Sequence, residues 1–420
     1  MKLLTYIFCL GLILFSFPLA DIHAQNPYVD TSSSRKDAVR LFIDCRCDMN
    51  HIRREIPYVN YVRDVREAQL YVLMTSQNAG NGGREYTLTY EGLQDFAGLN
   101  DTLQFTSMPD DTYDHIRSKQ VHTLKMGLMR YVARTPMSTE INISHNESLA
   151  EEEVIDRWNN WVFELGFSPD FEGEETYREI SFDNSVEIRK ITEDWKLEFE
   201  FDFEYRRATY NYEDTSYIAL RNGEEFNTLI VKSLGDHWSA GGFIEISASS
   251  YRNYKFQTEF IPALEYNFYP YSESTRRQLR VLYGIGYTYN IYNDTTIYDK
   301  ISEGLFLHSF NAAYEVRQKW GSVDVSMQAS NYLNDLAKNR IEFGGRISVR
   351  IAKGLSFRVY GSVARVRDQI SLTKGELTQA EVLLRLQEVA TGYYYYSGIS
   401  ISYTFGSIYN NIVNPRFGHY

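Results

Sequence analysis

Cysteine is nearly absent from the chain, with three in 420 residues. Cys9 falls within an apolar leader, so only Cys45 and Cys47 remain, too few for a disulfide framework. This Cys-x-Cys pair leaves two states open, a small-ring disulfide or a reduced, half-buried pair. A zinc site would need two more ligands and only His51 lies close by, so no metal is expected. Long hydrophobic runs are missing as well: past the leader nothing approaches the ~20 apolar residues of a spanning helix. Positive charge is in deficit, with 43 Lys and Arg against 55 Asp and Glu, and the net charge of −12 argues against a nucleic-acid partner. No motif implies a cofactor.

What the chain does have begins with MKLLTYIFCLGLILFSFPLADIHAQ. Lys2, an apolar stretch from Leu3 to Leu19 and a small-residue end at Ala24 predict a secretory signal peptide over 1–24. Aromatic residues are abundant beyond it, 34 Tyr and 24 Phe in the whole chain, although mean hydropathy is negative. An exported, aromatic-rich chain with alternating strands and no helical anchor points to a transmembrane β-barrel.

Residues 38–135 predict a small α/β domain in the order β-α-β-β-α. AVRLFIDC is a short buried strand, and Asp48 caps a helix over DMNHIRREI. AQLYVLMTSQ and REYTLTYEGL pair as a hairpin across NAGNGG. Because GNGG joins two strands, no helix amino terminus faces a phosphate there. In the final helix Ile116, Val121, Leu124, Leu128, Met129 and Val132 form one apolar stripe ahead of Pro136. Arg46, Arg53, Arg54, Arg63 and Arg66, interleaved with Glu55, Asp64 and Glu67, form a solvated charged face. An acidic linker over 136–157 follows.

From 158 to 420 the pattern predicts about twelve antiparallel strands of a barrel. The stretch DWKLEFEFDFEYRRATY shows why. Trp195, Leu197, Phe199, Phe201, Phe203 and Tyr205 alternate with Lys196, Glu198, Glu200, Asp202, Glu204 and Arg206. A barrel turns the aromatic set to lipid and the charges to the lumen, the reverse of a soluble sandwich. The lumen-facing charges are then Glu198, Glu200, Asp202 and Glu204 on one strand, with Arg346, Arg350 and Arg358 on two others. Either they line a hydrated polar channel, or Glu–Arg bridges close the lumen. Trp195, Tyr205, Trp238, Tyr269, Trp320 and Tyr393 are the expected interfacial girdle. Short links (TED, GDH, KWG, AKG) alternate with longer ones such as TYNYEDTSYIALRNG, NDTTIYDKIS and LTKGELTQAEVLLRLQEVATG. That alternation places the short turns, both termini and the α/β domain in the periplasm. Residues 376–392 of the last link predict an amphipathic helix, packed outside or entering the barrel.

Catalysis lacks a motif. A lipase-type site needs a Ser–His pair with an orienting carboxylate or amide. His237, His308 and His419 are the barrel region's histidines, and none stands convincingly beside a nucleophile.

VKSLGDHWSAGG, ALEYNFYPYSESTRRQLRVLYGIGY, TIYDK and YTFGSIYNNIVNPRF resemble uncharacterised outer-membrane β-barrel proteins of the kind abundant in Bacteroidota. LFIDCRCDMNHIRREIPYVNYVRDVREAQLYVL is similar to the domain preceding such barrels. The resemblance implies location and fold, and no catalytic residue. The expected function is non-enzymatic: a small polar channel, or an anchor presenting the periplasmic domain to an envelope partner. The alternatives are an outer-membrane hydrolase and a surface adhesin using its Tyr-rich loops.

Overall fold

The computed structural model describes residues 37–143, 157–212, 215–375, 387–407, 411 and 416. The expected signal peptide, most of the linker and residues 376–386 of the expected helix lie outside these residues. No helix among the described residues is long and apolar enough to cross a membrane.

The first domain is a five-stranded mixed sheet backed by helices. Its elements are β1 (Arg40–Asp44), α1 (Met49–Glu55), β2 (Asn60–Tyr61), β3 (Leu70–Asn78), β4 (Arg84–Gly92), β5 (Asn100–Thr106) and α2 (Tyr113–Val132), in the sheet order β2-β1-β3-β4-β5. This corrects the expected β-α-β-β-α order by two strands. β2 is only two residues long, and β5 pairs with β4 while burying no residue fully, so neither carries a legible apolar pattern. Asp48 caps α1, its carboxylate accepting from the His51 amide at 2.9 Å, and this bond holds its pKa below the usual carboxylate value. One face of the sheet packs Leu70, Val72, Leu88 and Tyr90 against Val121, Leu124, Leu128 and Tyr131 of α2. Gly127 makes that approach possible, since a Cβ there would stand 2.1 Å from the Tyr90 ring. The Tyr90 hydroxyl donates to the Thr123 carbonyl at 3.0 Å.

The second domain is a twelve-stranded antiparallel meander in which every strand pairs with its sequence neighbour. It comprises β6 (Trp161–Gly173), β7 (Tyr177–Ile191), β8 (Trp195–Tyr212), β9 (Thr215–Ser233), β10 (Trp238–Ser249), β11 (Tyr254–Asn267), β12 (Arg277–Tyr292), β13 (Ser302–Gln318), β14 (Gly321–Tyr332), β15 (Asp335–Ala352), β16 (Leu355–Val366) and β17 (Tyr393–Tyr403). The strands run from 11 to 19 residues, at or beyond the roughly ten that cross an apolar band. Directly paired residues share a face, so register carries one face round the whole sheet. Glu198, Glu200 and Asp202 pair with Leu229, Asn227 and Glu225, and Phe199 and Phe201 with Thr228 and Phe226. The apolar face is exposed to its surroundings: Phe201 is 44% accessible, Leu165 80% and Ile399 72%. Trp195 under Lys232, and Trp238 stacked near Tyr266, mark the belt at one end. β6 and β17 are the two edges of the sheet, and no pairing between them is present among the described residues.

The links differ from the expected alternation. TYNYEDTSYIALRNG is not a loop: β8 and β9 pair through it up to Tyr212 and Thr215. Links 174–176, 250–253 and 333–334 are as tight as the short turns at the opposite end, where 268–276 is as long as 293–301, and only 367–392 is longer. Polar strands outside an apolar band still satisfy their backbone by pairing, so alternation in the side chains does not mark where a strand stops.

The face assignment has a direct test. Phe201→Arg places a cation on the lipid face and is expected to cost about 2–4 kcal/mol, whereas Asp202→Asn on the opposite face costs under ~1 kcal/mol. Denaturant titration of the refolded protein in lipid, with the heat-dependent gel shift as the folding signal, measures both.

Candidate functional site: the barrel interior and its two mouths

The inner face divides into three zones. Strands β6 to β11 carry the acids, and the four β8 carboxylates Glu198, Glu200, Asp202 and Glu204 sit together on this face, as register dictates. Of these four, Glu198 alone has an ion pair among the described residues, and the other cations of this wall pair with acids of β6 and β7. Lys196 reaches Glu198 at 3.2 Å, Arg189 bonds Glu164 at 2.6 Å and Glu187 at 3.3 Å, and Arg206 bonds Glu179 at 2.6 Å. Arg346 and Arg358 lie on β15 and β16, opposite Asp324 and Ser400. No ion pair among the described residues joins them to the β8 acids. Arg350 shares their face but sits at the rim, committed to the first domain as described below.

An apolar patch interrupts the polar inner face on β9 to β13. Leu229, Phe243 and Ile261 are mutually paired across β9, β10 and β11, and Leu305 and Leu307 follow on β13. Sequence reasoning expected a charged interior throughout and missed this zone. A signal was present: TLIV in β9 and GGFI in β10 are apolar at consecutive positions, the mark of a strand covered on both faces.

One mouth is crossed by the chain itself. After β16, residues 368–374 fold over the ends of β10 to β13. Asn253 donates to the Ser371 carbonyl at 2.8 Å, the Ile297 amide donates to the Leu372 carbonyl at 2.8 Å, and Thr296 bridges Thr373. Ile370, Ser371 and Leu372 are buried there. Arg340 holds Asp368 at 2.9 Å where the segment begins.

The opposite mouth carries the α/β domain, which turns its non-helical sheet face to the barrel rim. Asp44 pairs with Arg350 at 2.8 Å, Glu91 with Lys319 at 2.8 Å, and Glu67 with Lys353. The Gly354 amide donates to Asp64 at 2.7 Å, and Arg66 donates to the Arg350 carbonyl at 3.0 Å. The acids all belong to the domain and the partners all to barrel turns or strand ends. Asp64 and Glu67, expected as part of a solvated face, are docking groups. Tyr71 donates to Asp44 at 3.0 Å behind the ion pair, and its burial, with Asp44 adding to it, pushes the phenol pKa well up. The β3–β4 hairpin tip also meets the rim: a Cβ on Gly80 would stand 2.5 Å from the Ile191 carbonyl oxygen. Asn411, beyond β17, accepts from the Tyr61 amide at 2.7 Å and donates to Asn60 at 3.0 Å on the domain's edge strand.

Two of the candidate histidines are engaged elsewhere. His237 Nδ1 donates to the Asn267 carbonyl at 2.7 Å and its ring lies against Tyr266. His308 meets the Tyr283 hydroxyl at 3.1 Å on the outward face. His419 lies outside the described residues. Cys45 and Cys47 are bonded to each other.

Twelve antiparallel neighbours in sequence order, apolar outside and with their charges gathered on the inner face, are the architecture of an outer-membrane β-barrel. No protein-family model and no curated protein matches the sequence. Solved structures similar to it include the NanC porin in a rhombohedral crystal form, at 10% identity and a TM-score of 0.26, over 54% of this chain and 94% of that one. The translocator domain of autotransporter NalP from Neisseria meningitidis aligns at 11% identity and a TM-score of 0.20, over 58% of this chain and 79% of that one.

The docking makes a graded prediction. Exposed ion pairs contribute about 0–1 kcal/mol each, so Glu91→Ala alone leaves the domain in place. Reversing Lys319, Arg350 and Lys353 to Glu together undocks it, and more so at low salt, where repulsion is unscreened. Spin labels at Met126 and Leu234 report this: one narrow distance in the parent and the single variant, a broad distribution in the triple variant.

Proposed function

We propose that the protein is a non-enzymatic envelope anchor: an outer-membrane barrel that fixes its α/β domain at the periplasmic mouth and is closed to solutes at rest. The observation that carries this reading is the set of acid-to-base contacts from Asp44, Glu67 and Glu91 to Arg350, Lys353 and Lys319 across that mouth. The orientation is supported by both ends of the barrel meeting the domain-side mouth, as an even strand count requires. Helix α2 lies on the sheet face opposite the rim, with Tyr113 and Met126 well exposed, so an envelope partner has access to it. The segment over 368–374 closes the other mouth. The acidic wall gives any residual conduction a cation preference.

Planar-bilayer recording tests the closed state. The intact protein is expected to be silent after its heat-dependent gel shift confirms folding. Deleting 38–135 together with 368–374 is expected to give discrete, cation-selective steps. Steady conductance by the intact protein would instead make it a channel. Loss of every crosslinked periplasmic partner on deleting 38–135 alone is expected from an anchor, and an unchanged partner set contradicts it.

A further inference from the structure

The inner face holds a cavity of about 530 Å³ near the domain-side mouth. Its wall is built by Leu229, Val231, Phe243, Ala263 and Leu282, and Arg280 lines it too. Ligand pockets have this composition and size: mostly apolar, with a few convergent polar groups.

Of the charged groups around it, Glu193, Asp194 and Lys196 are exposed where the chain turns into β8. Ser239 donates to the Tyr271 hydroxyl at 2.9 Å, and that hydroxyl donates to Glu265 at 3.1 Å. Lys196 is held by Glu198 at 3.2 Å, and Asp194 stands 3.9 Å from Lys232. Arg280, a partly buried residue, makes no side-chain hydrogen bond or ion pair with a described residue. A cation drawn partly out of water without a partner is costly, and the guanidinium's fork suits a carboxylate or phosphate. Asn311, paired opposite Leu282, sets a neutral amide on the same wall.

We propose that this cavity binds a small single-chain amphiphile with one anionic head, its chain against Leu229, Val231, Phe243 and Leu282 and its head on Arg280. The apolar wall disfavours sugars and inorganic ions as the principal ligand, and Arg280, the lining cation with no ion pair among the described residues, selects an anionic head over a neutral or cationic one. The site is independent of whether the lumen conducts, because it needs only the inner faces of β9 to β13.

Equilibrium dialysis of radiolabelled octanoate against the full-length protein in amphipol tests the assignment, with protein-free amphipol as the blank. Saturable binding of one octanoate per chain is expected, with octanol and octyltrimethylammonium competing poorly. Arg280→Gln is expected to weaken binding roughly tenfold and Arg280→Lys much less, since a charge-assisted contact is lost in one and kept in the other. Leu282→Asp is expected to abolish binding while retaining the heat-dependent gel shift. Non-saturable uptake, equal competition by octanol, or the same affinity in Arg280→Gln and Leu282→Asp would overturn the proposal.

Discussion

Lipid offers a backbone no hydrogen bonds, and the rest of the barrel follows from that constraint. Each amide and carbonyl inside the apolar band must find a partner in the sheet. Twelve strands each bonded to the next meet the demand, and the period of two then sorts side chains into a lipid face and an inner face. Proline shows how tightly this binds. At Pro262 the pairing of β11 with β12 lapses, passing from Phe260–Tyr287 to Ala263–Gly284. At Pro169 the pairing of β6 with β7 runs on unbroken, so the missing N–H falls on the free side of β6.

The same alternation made most of the barrel legible before any coordinates. About twelve strands are expected from 158 onward and twelve are present among the described residues, although the expected loop TYNYEDTSYIALRNG belongs to β8 and β9. A strand's faces are written locally, two residues at a time. The five-stranded sheet was less legible because β2 is too short to hold a period and β5 buries nothing fully. The apolar patch of Leu229, Phe243 and Ile261 was obscured for a different reason: each residue looks like part of a lipid-facing run until its register is known. Docking of the first domain was not legible at all. Asp44 and Arg350 are 306 positions apart and Glu91 and Lys319 are 228 apart, and nothing local to either pair distinguishes them from solvated charges.

Charge is used in two ways in this molecule. Inside the barrel some acids and bases neutralise one another along and across strands, as Glu164, Arg189 and Glu187 do, which limits the cost of confining them. At the rim, acids on one domain meet bases on the other, so the same chemistry sets the position of a whole body. Because each rim pair is partly open to water, the joint is held by number rather than by any single contact.

Asn411 adds a consequence for the order in which the molecule is made. It follows the last strand, yet it bonds Asn60 and Tyr61 of a domain that precedes the first, across 350 positions. The edge of β2 therefore waits for the final segment of the chain. A domain that is synthesised before the barrel acquires this fastening only once residues beyond β17 have been made.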